Sequence, residues 1–105
     1  MTTMFEVVAE PARREILDLL LDGARPVGEL VRETGLSQPN TSRHLRVLRE
    51  AGLVESRPDG QRRLYELRPG GLTEIERWLA PYRQMWQRSL ADLERHLDEE
   101  EQRCP

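Results

Sequence analysis

The chain has 105 residues, 37% of them apolar, with sixteen basic against nineteen acidic side chains and a net charge of -3. That length suits one domain, and so low an apolar share is small for a domain that buries a core alone, so a partner subunit is expected to supply further burial. No run of eighteen apolar residues and no apolar leader with a small-residue cleavage site occurs, which argues against a membrane span or secretory signal and predicts a cytoplasmic protein.

In chain order, Phe5, Val8 and Ala9, then Ala12, Ile16, Leu19 and Leu20, recur at helical spacing. Pro11 is placed to open a second helix, where its missing NH costs nothing, and Gly23 ends it. Pro26 opens the next helix, in which Val27, Leu30 and Val31 share a face and Gly35 is the stop. The stretch SQPNTSRHLR follows. Ser37 is a good N-cap, Pro39 is tolerated in the first turn, Thr41, Leu45 and Leu48 fall on one side, and Gly52 fits a left-handed stop, which predicts a helix over 38–51. LVESR and RRLYEL flank Pro58, Asp59, Gly60 and Gln61, and Asp-Gly between two strand-like runs predicts a hairpin over 53–67. Beyond Gly70 and Gly71, the residues Leu72, Ile75, Leu79, Tyr82, Trp86, Leu90, Leu93 and Leu97 predict a long helix over 72–100, which Pro81 is able to bend. The acidic run at 98–101 reads as a solvated helix end, and the single Cys104 as a free thiol with no partner for a disulfide or a zinc site.

The elements assemble into a single domain over 1–105. It is mainly α with a small β-hairpin: a helix-turn-helix at 26–51, a wing at 53–67, and helices at 1–22 and 72–100 for dimerisation. Residues 37–68 hold seven Arg against four acids, whereas the segments on either side each sum to -3. With Thr41, Leu45 and Leu48 turned inward, the other side of helix 38–51 presents Gln38, Pro39, Asn40, Ser42, Arg43 and Arg46, side chains suited to base edges in a major groove. His44, at the flank, is a candidate phosphate contact, and Arg57, Arg62 and Arg63 are candidate wing contacts. Leu79, Tyr82, Trp86, Leu90, Leu93 and Leu97, joined by Phe5 and Val8, are the expected two-fold interface. A protein-interaction module is the alternative use of such a fold, but it would carry apolar anchors where this face carries Gln, Ser and Arg. No nucleophile-and-base pair, carboxylate dyad or phosphate-cradling glycine loop points to catalysis, so no enzyme activity is expected.

The run LSQPNTSRHLRVLREAGLVESRPDGQRRLYEL resembles the recognition helix and wing of the ArsR family of bacterial winged-helix repressors, and EPARREILDLL resembles the helix before it. The resemblance implies a homodimeric repressor, bound to double-stranded DNA at an operator near its own promoter and released by a signal. Thr41, where relatives often have a small apolar residue, and Arg43 and Arg46, where they often have Lys, depart from the pattern, so the operator sequence does not transfer.

Many members sense metals. The helix at 26–34, where some carry a pair of Cys, holds neither Cys nor His here, which excludes a thiolate site. Asp92, His96 and Glu100 share a face of the last helix where others place ligands, but one imidazole and two carboxylates in an acid-rich helix read as surface charge pairs. No metal and no cofactor are expected. A small molecule, a partner protein or protein concentration itself remains as the signal.

Overall fold

A computed structural model describes residues 3–103; Cys104 lies outside them. The chain forms two compact units, the first ending at Glu74 and the second starting at Ile75.

Helix α1 (Met4–Ala9) starts where the Thr3 hydroxyl accepts the Glu6 NH at 3.2 Å. It has no basic residue in its last turn, and α2 (Pro11–Leu19) supplies two from outside. Arg13 Nε donates to the Val7 carbonyl at 2.7 Å, and Arg14 donates to the Val8 and Ala9 carbonyls at 2.8 and 3.0 Å. Cations thus meet carbonyls the short helix leaves unpaired. Arg25 does the same for α2, its Nε donating to the Leu19 carbonyl at 2.8 Å. Between them the chain tightens into a 3-10 turn over Leu20–Asp22 before Gly23.

Helix α3 (Val27–Thr34) ends at Gly35, whose φ of 74° is left-handed and whose NH bonds the Val31 carbonyl at 3.0 Å. Helix α4 (Gln38–Glu50) begins at Ser37, whose hydroxyl accepts the Asn40 NH at 3.3 Å. The wing strands are β2 (Val54–Asp59) and β3 (Arg62–Leu67), and they pair antiparallel with Asp59 opposite Arg62. Two features differ from expectation. The turn is centred on Gly60 and Gln61 rather than on Asp59 and Gly60: Gly60 has φ of 65°, while no non-glycine among the described residues has positive φ, so Gln61 is on the negative side. A glycine first and a negative φ second is the sign pattern of a II′ turn, whereas Asp-Gly at the centre would demand positive φ of Asp. In addition, Arg25–Pro26 forms a third strand, β1, with Arg25 opposite Tyr65 and Pro26 opposite Leu64. The sheet order is β1-β3-β2. Pro26 fits there because an edge strand need not donate from every residue.

The core of the first unit is Val7, Ile16, Leu20, Leu30, Leu45, Leu48, Leu53 and Val54, one or two residues from every helix and the base of the wing. Each such side chain contributes about 1.5–3 kcal/mol on burial. In α1 it is Val7 that is buried; Val8 is half-buried and packs against the core, and Phe5 stays 39% exposed.

Helix α5 (Thr73–Arg103) forms the second unit from Ile75 onward, running through Pro81 as one helix of 31 residues, about 46 Å at 1.5 Å per residue. Leu79 is half-buried, whereas Tyr82, Met85, Trp86, Leu90, Leu93 and Leu97 are exposed. Tyr82 stacks at a tilt between Trp78 (5.1 Å) and Trp86 (6.4 Å). None of the helices among the described residues is long and apolar enough to cross a membrane.

Candidate nucleic-acid interface

Helix α4 divides into two faces because its apolar and small residues recur at the period of the helix. Thr41, His44, Leu45 and Leu48 are buried, and Gln38, Pro39, Asn40, Ser42, Arg43, Arg46 and Arg49 are exposed. Thr41 is buried without cost, since its hydroxyl donates to the Ser37 carbonyl at 2.9 Å. The short turn through Gly35 and Leu36 fixes α4 against α3: the Thr34 hydroxyl donates to the Leu30 carbonyl at 2.7 Å and accepts the Leu36 NH at 3.2 Å.

His44 corrects the sequence reading. It is not a flank residue open to phosphate; only 8% of it is exposed, and its Nδ1 is buried with no hydrogen-bond partner. The reason is periodicity, for Thr41, His44, Leu45 and Leu48 fall at i, i+3, i+4 and i+7, the four positions of one helical stripe. Burial lowers its pKa from the ordinary 6.5, and the nearby Arg13 and Arg43 cations lower it further, against a smaller opposing pull from Glu10. It is neutral at pH 7 and belongs to the packing of α4, not to its outer face.

The arginines fall into two groups. Arg43, Arg46 and Arg49 make no hydrogen bond or ion pair among the described residues. With Pro39, Ser42 and Tyr65 of β3 they line a cleft of about 340 Å³ that no carboxylate enters. The wing arginines are held within the chain: Arg57 lies 3.4 Å from Glu66, Arg62 lies 3.1 Å from Asp59, and Arg63 donates to the Ser56 hydroxyl at 3.2 Å. A second cleft of about 510 Å³, between the start of α3 and the wing, is lined by Arg32, Arg62 and Arg63 among others. The two surface ion pairs, Arg57–Glu66 and Arg62–Asp59, are each worth about 0–1 kcal/mol, so an anion can displace them, whereas Arg43, Arg46 and Arg49 need not exchange any partner. Arg49 and Tyr65 escaped the sequence reading. Arg49 could have been found, since it follows Ser42 and Arg46 at i+7 and i+3; Tyr65 depends on the fold of the wing.

The Asp92, His96 and Glu100 trio does not converge. Asp92 is paired with Arg95, and His96 Nε2 lies 3.3 Å from a Glu100 oxygen. Among the described residues no group of three His, Cys, Asp or Glu side chains is placed to hold a metal.

Comparison with known proteins bears on this arrangement. Residues 10–56 match the family model described as bacterial regulatory protein, arsR family. The chain is 38% identical over 96 residues to the HTH-type transcriptional regulator Rv2034 of Mycobacterium tuberculosis, spanning 91% of this chain and 87% of that one. It is 32% identical over 79 residues to the transcriptional repressor SdpR of Bacillus subtilis, spanning 75% of this chain and 88% of that one. Among solved structures, it superposes with a TM-score of 0.62 and 29% identity on the homodimeric winged helix-turn-helix DNA-binding domain of Mb0332 from Mycobacterium bovis, covering 76% of this chain and 74% of that one. An uncovered row of arginines on the second helix of a helix-turn-helix, a two-stranded wing beside it, and this similarity along most of the chain lead to one conclusion: the chain belongs to the ArsR family and is a winged helix-turn-helix transcriptional regulator.

Proposed function

We propose that the protein is a homodimeric cytoplasmic repressor, without enzymatic activity, that reads a two-fold operator in double-stranded DNA. In this reading Gln38, Pro39, Asn40, Ser42, Arg43 and Arg46 of α4 face the bases, and Arg57, Arg62 and Arg63 of the wing meet the adjacent backbone. The observation that carries it is the cleft in which Arg43 and Arg46 lie exposed, unpaired and free of carboxylates, in a chain whose net charge is -3. Bare guanidinium groups there are a focused positive field, and their planar forks suit guanine edges and phosphates. The repressor activity of the Bacillus relative and the homodimeric state of the Mycobacterium bovis domain support the rest.

The dimer contact is proposed on the apolar stripe of α5, where Tyr82, Trp86, Leu90, Leu93 and Leu97 recur at steps of three or four and are all exposed. Leu79 is proposed with them, and Phe5 and Val8 are proposed as interface residues of the first unit, Val8 contributing less because it already packs on its own core. A two-fold pair places recognition helices about 34 Å apart, in successive major grooves. A small molecule or partner protein is the candidate releasing signal.

The test is selection of bound DNA from random fragments, followed by titration of Arg43→Ala and Gln38→Ala on the selected operator and on a scrambled duplex. Each substitution is expected to cost about 1–3 kcal/mol on the operator and little on the scrambled duplex. Equal losses on both would remove these residues from base reading.

A further inference from the structure

Arg49 and Tyr65 belong neither to the base-reading face nor to the wing tip, yet they line the same cleft between α4 and β3. We propose that they form a clamp for one backbone phosphate of the DNA, fixing the register between recognition helix and wing; this rests on the protein being a DNA-binding regulator.

Charge comes first. Three guanidinium groups, Arg43, Arg46 and Arg49, share a cleft with no acid to neutralise them, so its field favours an anionic occupant. Position then separates their roles. Arg49 stands eleven residues after Gln38, the first residue of α4. At 1.5 Å per residue that is about 16 Å along the axis, more than the ~12 Å width of a major groove. The first turns of a recognition helix reach base edges, whereas a side chain that far along meets the strand at the groove's margin. Arg49 also lies on the flank turned toward β3, as its place beside Tyr65 in the cleft requires.

Tyr65 supplies a fixed donor. It packs against the hydrophobic core and is half-buried. It sits in the middle strand of the sheet, opposite Arg25 on one side and Ser56 on the other. Its hydroxyl has no hydrogen-bond partner within the described chain. A ring already immobilised by packing loses little further entropy when the phenol donates. A planar guanidinium and a phenol on two elements match the two non-bridging oxygens of a phosphodiester. Because β3 carries the wing, a phosphate held there ties the placement of the wing to that of α4.

Free phosphate offers the same oxygens, so the experiment distinguishes the sources. Titrate the unmutated protein, Arg49→Gln and Tyr65→Phe against operator and scrambled duplex by fluorescence anisotropy between about 50 and 200 mM salt. Loss of one phosphate contact is expected to lower the log-log salt slope of Arg49→Gln by about 0.9. It should also weaken both duplexes by the same factor, about five- to tenfold. Tyr65→Phe should weaken both duplexes equally with the slope unchanged, and its thermal unfolding checks that the sheet is intact; if that variant is unstable, the surface variant Arg49→Gln decides alone. An unchanged slope for Arg49→Gln overturns the clamp, as does a loss confined to the operator, which would make Arg49 a base reader. Inorganic phosphate at constant ionic strength should compete no better with the unmutated protein than with Arg49→Gln; selective competition would assign the cleft to a small anion instead. Failure of the unmutated protein to bind any duplex overturns the DNA-binding assignment itself, whereas binding that Arg49→Gln leaves intact overturns only the clamp.

Discussion

Replacing His44 should change how the fold responds to acid. The imidazole is 8% exposed, its Nδ1 has no partner, and the charged groups that act on it are Arg13 of α2, Arg43 of its own helix and Glu10 between α1 and α2. Burial and the two cations together hold its pKa below 6.5 in the folded state. The unfolded chain therefore takes up the proton first as pH falls, and binds more protons than the native state throughout the interval between the two pKa values. Stability is full above the unfolded value near 6.5, declines as pH drops through it, and stops declining below the folded pKa. One proton limits the slope to about 1.4 kcal/mol per pH unit. The assay is urea unfolding followed by far-UV circular dichroism from pH 8 to pH 5, for the unmutated protein and His44→Gln. The difference between the two stabilities should be flat at pH 7.5 to 8 and should shift in favour of the variant below about 6.5, with a slope no steeper than that of one proton. His96 is present in both proteins and drops out of the difference. Parallel curves down to pH 5 would show that His44 is protonated as readily in the fold as outside it, and would refute the account of its burial.

Other expectations follow from particular contacts. Arg63→Ala should flatten the salt dependence of DNA binding by about one phosphate, and Arg62→Ala by less, because Asp59 at 3.1 Å already offsets the Arg62 charge whereas the Ser56 partner of Arg63 is neutral; equal slopes for the two variants would contradict this. Leu93→Arg should give a monomer by analytical ultracentrifugation that keeps its helical signal and loses most operator affinity, since Leu93 is 53% exposed within an apolar stripe; an unchanged dimer would remove α5 from the interface. Gly71→Ala should destabilise the first unit by about 1–3 kcal/mol, because a Cβ there would lie 2.9 Å from the Gly52 carbonyl oxygen and 3.1 Å from the Leu53 Cα, both backbone atoms; a melting temperature within a degree of the parent would show that the Gly52 and Gly71 backbones part easily.

The elements legible in the sequence were those whose signal is local. Ser37 as a cap, Pro11 at a helix start, Gly35 as a left-handed stop and the stripe of Thr41, Leu45 and Leu48 each depend on residues within two turns of one another, and the structure has all four. Strand β1 was hidden because two residues, one of them Pro, have no period of their own; Arg25 and Pro26 become a strand only when Tyr65 and Leu64 arrive about forty positions later. The place of His44 in the stripe is equally local, and in the fold that place outweighs the polarity of the imidazole. In α1, Val7 rather than Phe5 is the buried residue, because six residues span under two turns and the apolar run MFEVVA fits more than one face.

The site divides along the same line, and the division changes what each arginine is expected to do. Exposure of Arg43 and Arg46 follows from the helical period alone, so the exposed polar face of α4, proposed to read bases, is legible without any tertiary contact. Whether an exposed arginine is also unpaired depends on what lies across the sheet: Glu66 is nine residues from Arg57 in sequence but diagonal to it in the hairpin, and Ser56, whose pair is two beyond that of Arg63, is diagonal to Arg63 by the same register. Seven arginines within 37–68 therefore look alike in the sequence and differ in the fold. Those of α4 face solvent with no intramolecular partner to release, and those of the wing must first part from Glu66, Asp59 or Ser56. A cation that exchanges one partner for another gains less than one that acquires its first. The helix is therefore expected to dominate the free energy of binding and the wing to adjust it, an ordering that charge counting along the chain would have reversed at the Arg62-Arg63 pair.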